Sequence, residues 1–140
     1  MEASMKSKFV MVVTVLMLVP VAALAHHSFA AEFDSNKPVT VQGTVTKVEW
    51  TNPHIWIYVD MKEANGNVAK WQCEGGSPNT LTRQGWRKDT LKNGDHVVID
   101  GSRAKDGTNT CNARAVRTAD GKRLFAGSSG GDAAPPGVRQ

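Results

Sequence analysis

Four histidines, His26, His27, His54 and His96, are the side chains of this 140-residue chain best suited to hold a metal ion. Imidazole nitrogens suit copper and zinc. If the chain is cleaved after Ala25, His26 gains a free α-amine beside its imidazole. These two nitrogens would chelate one Cu(II) ion, and His27 or His54 would supply a third nitrogen. The alternative is that two histidines on a flexible terminus are solvated and bind metal only casually.

A second group of residues combines aromatic rings with a histidine around one turn and the strand after it. In an extended strand, alternation places His54, Trp56 and Tyr58 on one face. Exposed rings on a small barrel stack on flat or ring-shaped ligands. The predicted ligand-binding residues are therefore Trp50, Asn52, His54, Trp56, Tyr58 and Trp71. The alternative is that these tryptophans cover the core, as Trp86 is expected to do, and that residues 52–54 only shape a turn.

Motifs for catalysis are scarce. The sequence contains no Gly-x-Ser-x-Gly, His-Glu-x-x-His, phosphate-loop or dinucleotide-binding pattern. Carboxylates such as Glu49 and Asp60 occur singly on predicted strands, so no acid/base pair stands out. We therefore predict a non-catalytic protein without catalytic residues. An oxidative copper enzyme built on His26 is the one enzymatic alternative.

The N-terminal segment has the organisation of a secretory signal peptide. A short basic region, residues 1–8, precedes an apolar run over residues 9–24, and small residues at Ala23 and Ala25 suit a cleavage site. A retained membrane anchor is the alternative, but Pro20 and the small-residue ending argue against it. We expect a periplasmic or secreted product, with no further membrane segment after cleavage.

Export changes the interpretation of the two cysteines, Cys73 and Cys111. In an oxidising compartment an even number of cysteines most simply forms disulfides. The sequence therefore predicts one bridge between them. Two metal-ligating or redox thiols are the alternative, but the short Cys-x-x-Cys spacing of such sites is missing.

The charge balance argues against a nucleic-acid partner. The formal net charge is +4, and the predicted signal peptide accounts for +1 of it through Lys6, Lys8 and Glu2. The remaining excess of about +3 is interspersed along the chain, whereas phosphate neutralisation needs concentrated basic surface. We expect the partner to be a small molecule or a periplasmic protein; the sequence does not indicate an oligomeric state.

Period-two patterning predicts a mostly β domain over residues 38–126, between an extended lead-in (26–37) and a disordered tail (127–140). Valines change phase once between Gly43 and Lys47, which predicts a bulge or sharp coil in the first strand. Ser77 and Pro78 predict the start of a helix of about two turns that ends at Gly85. The strands are expected at residues 39–50, 54–61, 68–74, 96–101, 112–117 and 122–125, with a polar loop at 102–110.

The order of these elements favours an OB-like barrel of five to six strands. In that fold a helix between the third and fourth strands plugs one end of the barrel, and the long first strand takes part in both halves. Gly94-Asp95 followed by an alternating strand fits the entry to the fourth strand. A small open meander is the competing arrangement.

Several motifs also suggest a family. The sequence resembles an uncharacterised family of small exported bacterial proteins over about residues 26–129, and Trp50-Thr51-Asn52-Pro53-His54 is the most specific element. It is more weakly similar to periplasmic bacterial OB-fold proteins. The resemblance implies location and fold and leaves function open. The residues that carry it are 26–29, 41–54, 76–79, 85–86 and 94–95.

Overall fold

The computed structural model describes residues 29–127. The predicted signal peptide, His26, His27 and nearly all of the predicted tail lie outside this range. The described chain is mostly β, with six strands in one sheet and two short helices. In chain order the elements are α1 (Phe29–Glu32), β1 (Phe33–Glu49), β2 (Trp56–Lys62), β3 (Val68–Glu74), α2 (Pro78–Arg83), β4 (His96–Ala104), β5 (Thr110–Thr118) and β6 (Arg123–Phe125).

Strand β1 is long enough to pair with two different strands. Its first part is antiparallel to β4 and its second part to β2. The register with β2 shifts between Val45 and Lys47, which confirms the predicted phase slip. Because the slip inverts which side chains face inward, Val41 and Val45 are buried before it and Val48 packs on the core after it.

The sheet is not ordered as a meander. Its strand order is β3-β2-β1-β4-β5-β6, so β1 lies between β2 and β4. β3 also pairs in parallel with β5, through residues 72–74 and 110–112. We call this contact the β3–β5 seam. The competing meander prediction is therefore wrong, because consecutive strands do not supply these two pairings.

The predicted helix is confirmed in place and is slightly shorter than expected. The Ser77 side chain accepts a hydrogen bond from the Thr80 N–H at 3.2 Å, and Pro78 opens the helix. Gly85 follows with φ +94°, a conformation that favours glycine. Leu81 and Trp86 are fully buried and fix the helix to the sheet, as predicted for both.

Several element boundaries differ from the prediction: β2 begins at Trp56 instead of His54, and β5 runs from Thr110 to Thr118 instead of 112–117. The lead-in at 26–37 was expected to be extended, but residues 29–32 form a helical turn and β1 begins at Phe33. The Phe29 and Phe33 rings stack with centroids 5.8 Å apart, which favours this turn. Residues 102–104, expected in a loop, continue β4, because β1 pairs with it as far as Ala104.

The two cysteines form the predicted disulfide within the β3–β5 seam. Cys73 and Cys111 are register partners, and both are fully buried. The bridge therefore joins two strands that are far apart in sequence at the centre of their ladder. Within residues 29–127, no helix is long and apolar enough to cross a membrane.

Candidate functional site

Of the three residues predicted on one strand face, Trp56 and Tyr58 lie on the outer side of β2, and His54 lies just before the strand. His54, Trp56 and Tyr58 are partly exposed, whereas Ile55 and Ile57 between them are fully buried. We call the surface formed by Lys47, Glu49, His54, Trp56 and Tyr58 the aromatic face. Glu49 is the register partner of Trp56 and Lys47 that of Tyr58, so these four side chains adjoin across two strands, and His54 precedes Trp56 by two residues.

Contacts with the charged side chains of Glu49 and Lys47 orient Tyr58. Its hydroxyl donates a hydrogen bond to Glu49 Oε2 at 3.1 Å, and the same carboxylate binds the Lys47 ammonium. Lys47 Nζ also lies 5.3 Å from the centre of the Tyr58 ring, within range of a cation–π contact. The phenol ring is therefore held in place while part of its surface stays open to solvent.

These contacts shift three pKa values. Hydrogen bonds from Lys47 and then Tyr58 hold the pKa of Glu49 below its usual range. The hydrogen bond with Glu49 raises the pKa of Lys47, and burial, followed by the Glu49 contact, raises the pKa of Tyr58. At neutral pH the group therefore has one cation, one anion and a neutral phenol.

His54 is held by backbone and side-chain oxygens of the neighbouring strand. Its Nδ1 lies 3.0 Å from the Gly75 carbonyl oxygen and 3.3 Å from Glu74 Oε1. Because a carbonyl oxygen only accepts hydrogen bonds, Nδ1 carries the proton in this contact. Nε2 is then the ring nitrogen that these contacts leave available to a ligand.

The remaining predicted residues lie in different surroundings. Trp71 is 6% exposed and belongs to the core, because its register partner is the buried Val59. Its prediction as a surface ligand residue is therefore not supported by its position. Trp50 packs on the core from the edge, and Asn52 is exposed in the turn, where it precedes a cis proline.

Trp56 also borders a cavity of about 530 Å³ next to the start of the described chain. The Lys105 ammonium binds the Ala30 carbonyl oxygen there, and the Lys105 N–H donates to Glu32 O at 2.8 Å. The N-terminal helical turn is thus anchored beside the aromatic face. The cavity is lined by Ala31, Glu32, Phe33, Trp56, Ala104, Lys105, Asp106 and Thr110.

The described residues do not by themselves assemble a metal site. Within 29–127, no group of three or more His, Cys, Asp and Glu side chains is placed to hold an ion. His96 lies on the opposite part of the sheet, where its Nδ1 is 3.3 Å from Thr44 Oγ1. His26 and His27, the other predicted ligands, lie outside the described residues.

Three side chains of this region were missed by the sequence analysis: Lys47, Glu49 and Glu74. The two-residue spacing of Lys47 and Glu49 after the phase slip was a usable signal, because it places both on the outer face. Glu74 was not identifiable from the sequence. It reaches His54 because β3 pairs with β2, where Glu74 is the register partner of Trp56.

A family model described as a family of unknown function, DUF6152, matches residues 14–113. The chain belongs to the DUF6152 family. This confirms the predicted membership of an uncharacterised family. No curated protein and no solved structure matches the chain. The DUF6152 match spans the whole aromatic face and both cysteines.

Proposed function

We propose that this protein is an exported, non-catalytic OB-type binding module that binds a small ring-shaped molecule on its aromatic face. The observation that carries the proposal is the combination of half-exposed Trp56 and Tyr58 rings with fixed polar partners on one outer surface. Aromatic rings that are held in place recognise flat ligands at low entropic cost. A periplasmic protein that inserts a ring or proline there is the alternative ligand.

The pairing pattern supports an OB-type barrel. β1 pairs with β2 and β4, β3 pairs with β2 and β5, and β4 pairs with β5, so the five pairings form a continuous ring. The helix α2 lies between β3 and β4 in sequence, as in that fold. In OB folds the second and third strands commonly present the ligand surface, and the aromatic face shares β2 with that surface but extends onto β1 instead of β3.

Export is supported by the buried disulfide, because such bonds persist mainly in oxidising compartments. The predicted signal peptide would direct the protein to the export machinery. Expression of the full chain in a bacterial host, followed by cell fractionation and mass spectrometry, tests this proposal. We expect periplasmic protein that starts at His26 and contains the bridge; an uncleaved cytoplasmic product would contradict it.

Binding is tested by tryptophan fluorescence with a panel of oligosaccharides and planar aromatic compounds. We expect saturable quenching by at least one class, lost in Trp56→Ala and weakened in Tyr58→Phe. Trp86→Phe is the matched control, because Trp86 is buried and its Nε1 donates to Phe125 O at 2.8 Å. Quenching that survives Trp56→Ala, or none across the panel, would contradict the aromatic face as the site.

A second candidate is a copper-binding protein, favoured by the orientation of His54. The Gly75 and Glu74 contacts fix the Nδ1 proton and leave Nε2 as a ligand, the usual arrangement of a metal-binding histidine. His26 precedes Phe29 by three residues, a chain length of at most about 11 Å. The proposed ligands are the His26 amine and imidazole, with His54 or His27 as the third nitrogen.

The copper candidate is tested with protein that begins at His26. We expect Cu(II) to bind with a dissociation constant below micromolar, and one extra residue before His26 to weaken binding strongly, because the α-amine becomes an amide. His54→Ala against His27→Ala then identifies the third ligand. Equal, weak Cu(II) binding by the processed and extended forms would contradict the proposed copper site.

A further inference from the structure

A second cleft lies away from the aromatic face, beside the middle of β1. It measures about 810 Å³, within the range of ligand-binding clefts. One side is formed by Thr40 and residues 42–44 of β1 and the other by residues 60–62 at the end of β2. Residues of β4 and β5 complete its floor, among them His96, Val98 and Arg117.

Within residues 29–127, the edge of β1 that borders this cleft has no partner strand. The ladder between β1 and β2 reaches Thr44, opposite Asp60, and does not include the preceding residues of β1. Of those residues, Phe33, Asp34 and residues 38–43 pair with β4, on one side only. The divergence occurs at Gly43, where an added Cβ would lie 2.1 Å from the Asp60 carbonyl oxygen.

The direction of the unpaired backbone groups follows from the hydrogen bonds of Val45. Its N–H donates to Asp95 O at 2.8 Å and its carbonyl oxygen accepts from the Gly94 N–H at 2.7 Å, so both point to the β4 side. Backbone groups in an antiparallel strand alternate in direction from residue to residue. Gly43 and Val41 therefore face β4, whereas Gln42 and Thr40 direct an N–H and a carbonyl group each into the cleft.

The residues of β1 that come just before the open stretch carry features that prevent uncontrolled strand pairing. Lys37 and Pro38 are exposed just before the open residues, and a charge and a proline are the usual devices against uncontrolled edge pairing. Residues 39–43 have no such device. Because residues 60–62 form a wall beside them, the opening suits one extended strand better than the edge of a second folded sheet.

The charge of the cleft indicates the kind of strand. Lys62 is exposed and makes no ion pair within residues 29–127. Arg117 lies 3.7 Å from Asp100, and the one carboxylate that lines the cleft, Asp60, is 3.5 Å from Lys70. Unneutralised positive charge therefore remains at the β2 end of the opening.

We propose that the cleft binds an extended acidic peptide segment of a partner protein, which adds as a strand to β1. Main-chain hydrogen bonds to Thr40 and Gln42 would supply the affinity, and an acidic side chain of the peptide would meet Lys62, the cation of the cleft that has no ion pair within residues 29–127. This interaction surface is separate from the aromatic face. Its test therefore succeeds or fails independently of small-molecule binding there.

Hydrogen exchange of the free protein, followed by NMR, tests the open edge. We expect the Thr40 and Gln42 amides to exchange at least about 100-fold faster than those of Val41 and Gly43, because only the latter pair bond to β4. Equal protection of all four amides would overturn the proposal. Protection that appears only as the protein concentration rises would identify a second copy of the chain as the occupant and would also overturn it.

Peptide binding is tested by panning a displayed library of random twelve-residue peptides against the full mature protein. We expect enrichment of acidic sequences with alternating apolar positions, and their synthetic forms to slow exchange at Thr40 and Gln42 by tenfold or more. Gln42→Pro, which removes one donor that faces the cleft and is tolerable at an edge, should abolish binding.

Lys62→Glu provides a second variant if Gln42→Pro fails to fold. It should weaken binding about five- to tenfold, the effect of one exposed ion pair combined with its reversal. Lys88→Glu is the matched control, because Lys88 is exposed and does not line the cleft. A library without enriched binders, or binders that tolerate both Gln42→Pro and Lys62→Glu, would overturn the proposal.

Discussion

The β3–β5 seam and the open edge of β1 are two places where strands of one sheet meet or separate. At the seam, β3 and β5 form a short parallel ladder, and a buried disulfide joins its central pair. At the open edge, β1 leaves β2 at Gly43 and its outward backbone groups face a cleft. The first junction is closed covalently and the second is left unpaired.

The difference between these junctions separates stability from binding. A three-residue parallel ladder is a weak contact, and the buried Cys73–Cys111 bridge strengthens it. The edge of β1 needs no such support, because the ladder with β4 already holds the strand. Elements that bind partners are commonly drawn from parts of a fold whose backbone groups are not all used for stability.

Among the variants proposed here, removal of the disulfide should cause the largest loss in the free energy of unfolding. The bridge closes a loop with a sequence separation of 38 residues. On the chain-entropy model, Cys73→Ala/Cys111→Ala lowers the free energy of unfolding by about 3 to 4 kcal/mol. Urea unfolding followed by tryptophan fluorescence measures it, with chemically reduced wild-type protein as the control. A loss under about 1 kcal/mol would mean that the ladder alone closes the seam.

Gly43→Ala should cause the next largest loss of stability, because Gly43 lies where β1 and β2 diverge. The new Cβ would lie 2.1 Å from the Asp60 carbonyl oxygen and 2.9 Å from a Val59 methyl carbon, so the two strands must move apart. We expect a loss of about 1 to 3 kcal/mol in the free energy of unfolding. Gln42→Ala, at the neighbouring exposed position, should change it by less than about 0.5 kcal/mol. Similar losses of stability for both variants would show that β1 and β2 do not approach closely at Gly43.

A matched pair of glutamines compares the two junctions directly. Gln72 Nε2 donates to Thr110 Oγ1 across the seam at 3.1 Å, whereas Gln42 borders the open edge. Gln72→Ala should cost about 0.5 to 1 kcal/mol, the net value of one hydrogen bond, and Gln42→Ala close to none. The same urea experiment measures both, and a greater loss for Gln42→Ala would reverse the proposed roles.

The smallest effect concerns the aromatic face. Because the folded pKa of Glu49 is lowered, its stabilising contribution is present above the ordinary carboxyl pKa and is lost as pH falls through the folded value. A ¹³C NMR titration should show the Glu49 pKa rising more in Lys47→Ala than in Tyr58→Phe, since the Lys47 hydrogen bond is the larger cause. The opposite order would place Tyr58 as the main partner of the carboxylate.

Much of the local structure was predictable from residue patterns. The alternating valines and their single change of phase predicted β1 with its irregularity between Val45 and Lys47, and Ser77-Pro78 predicted α2. The same alternation identified the shared face of His54, Trp56 and Tyr58. Which sheet surface Trp71 reaches was left open by the sequence, because a tryptophan fits either face of a strand; its pairing with Val59 decides that it packs in the core.

The sequence by itself determined the mostly β class, the order of the elements, the disulfide and the outer face of β2. These depend on side-chain periodicity, turn residues and the number of cysteines, which are local properties. Only the tertiary structure decided that β3 meets β5, that Glu49 and Glu74 hold Tyr58 and His54, and that β1 has an open edge. The physical reason is that pairing between distant strands depends on how the whole sheet bends, and no single segment contains that information.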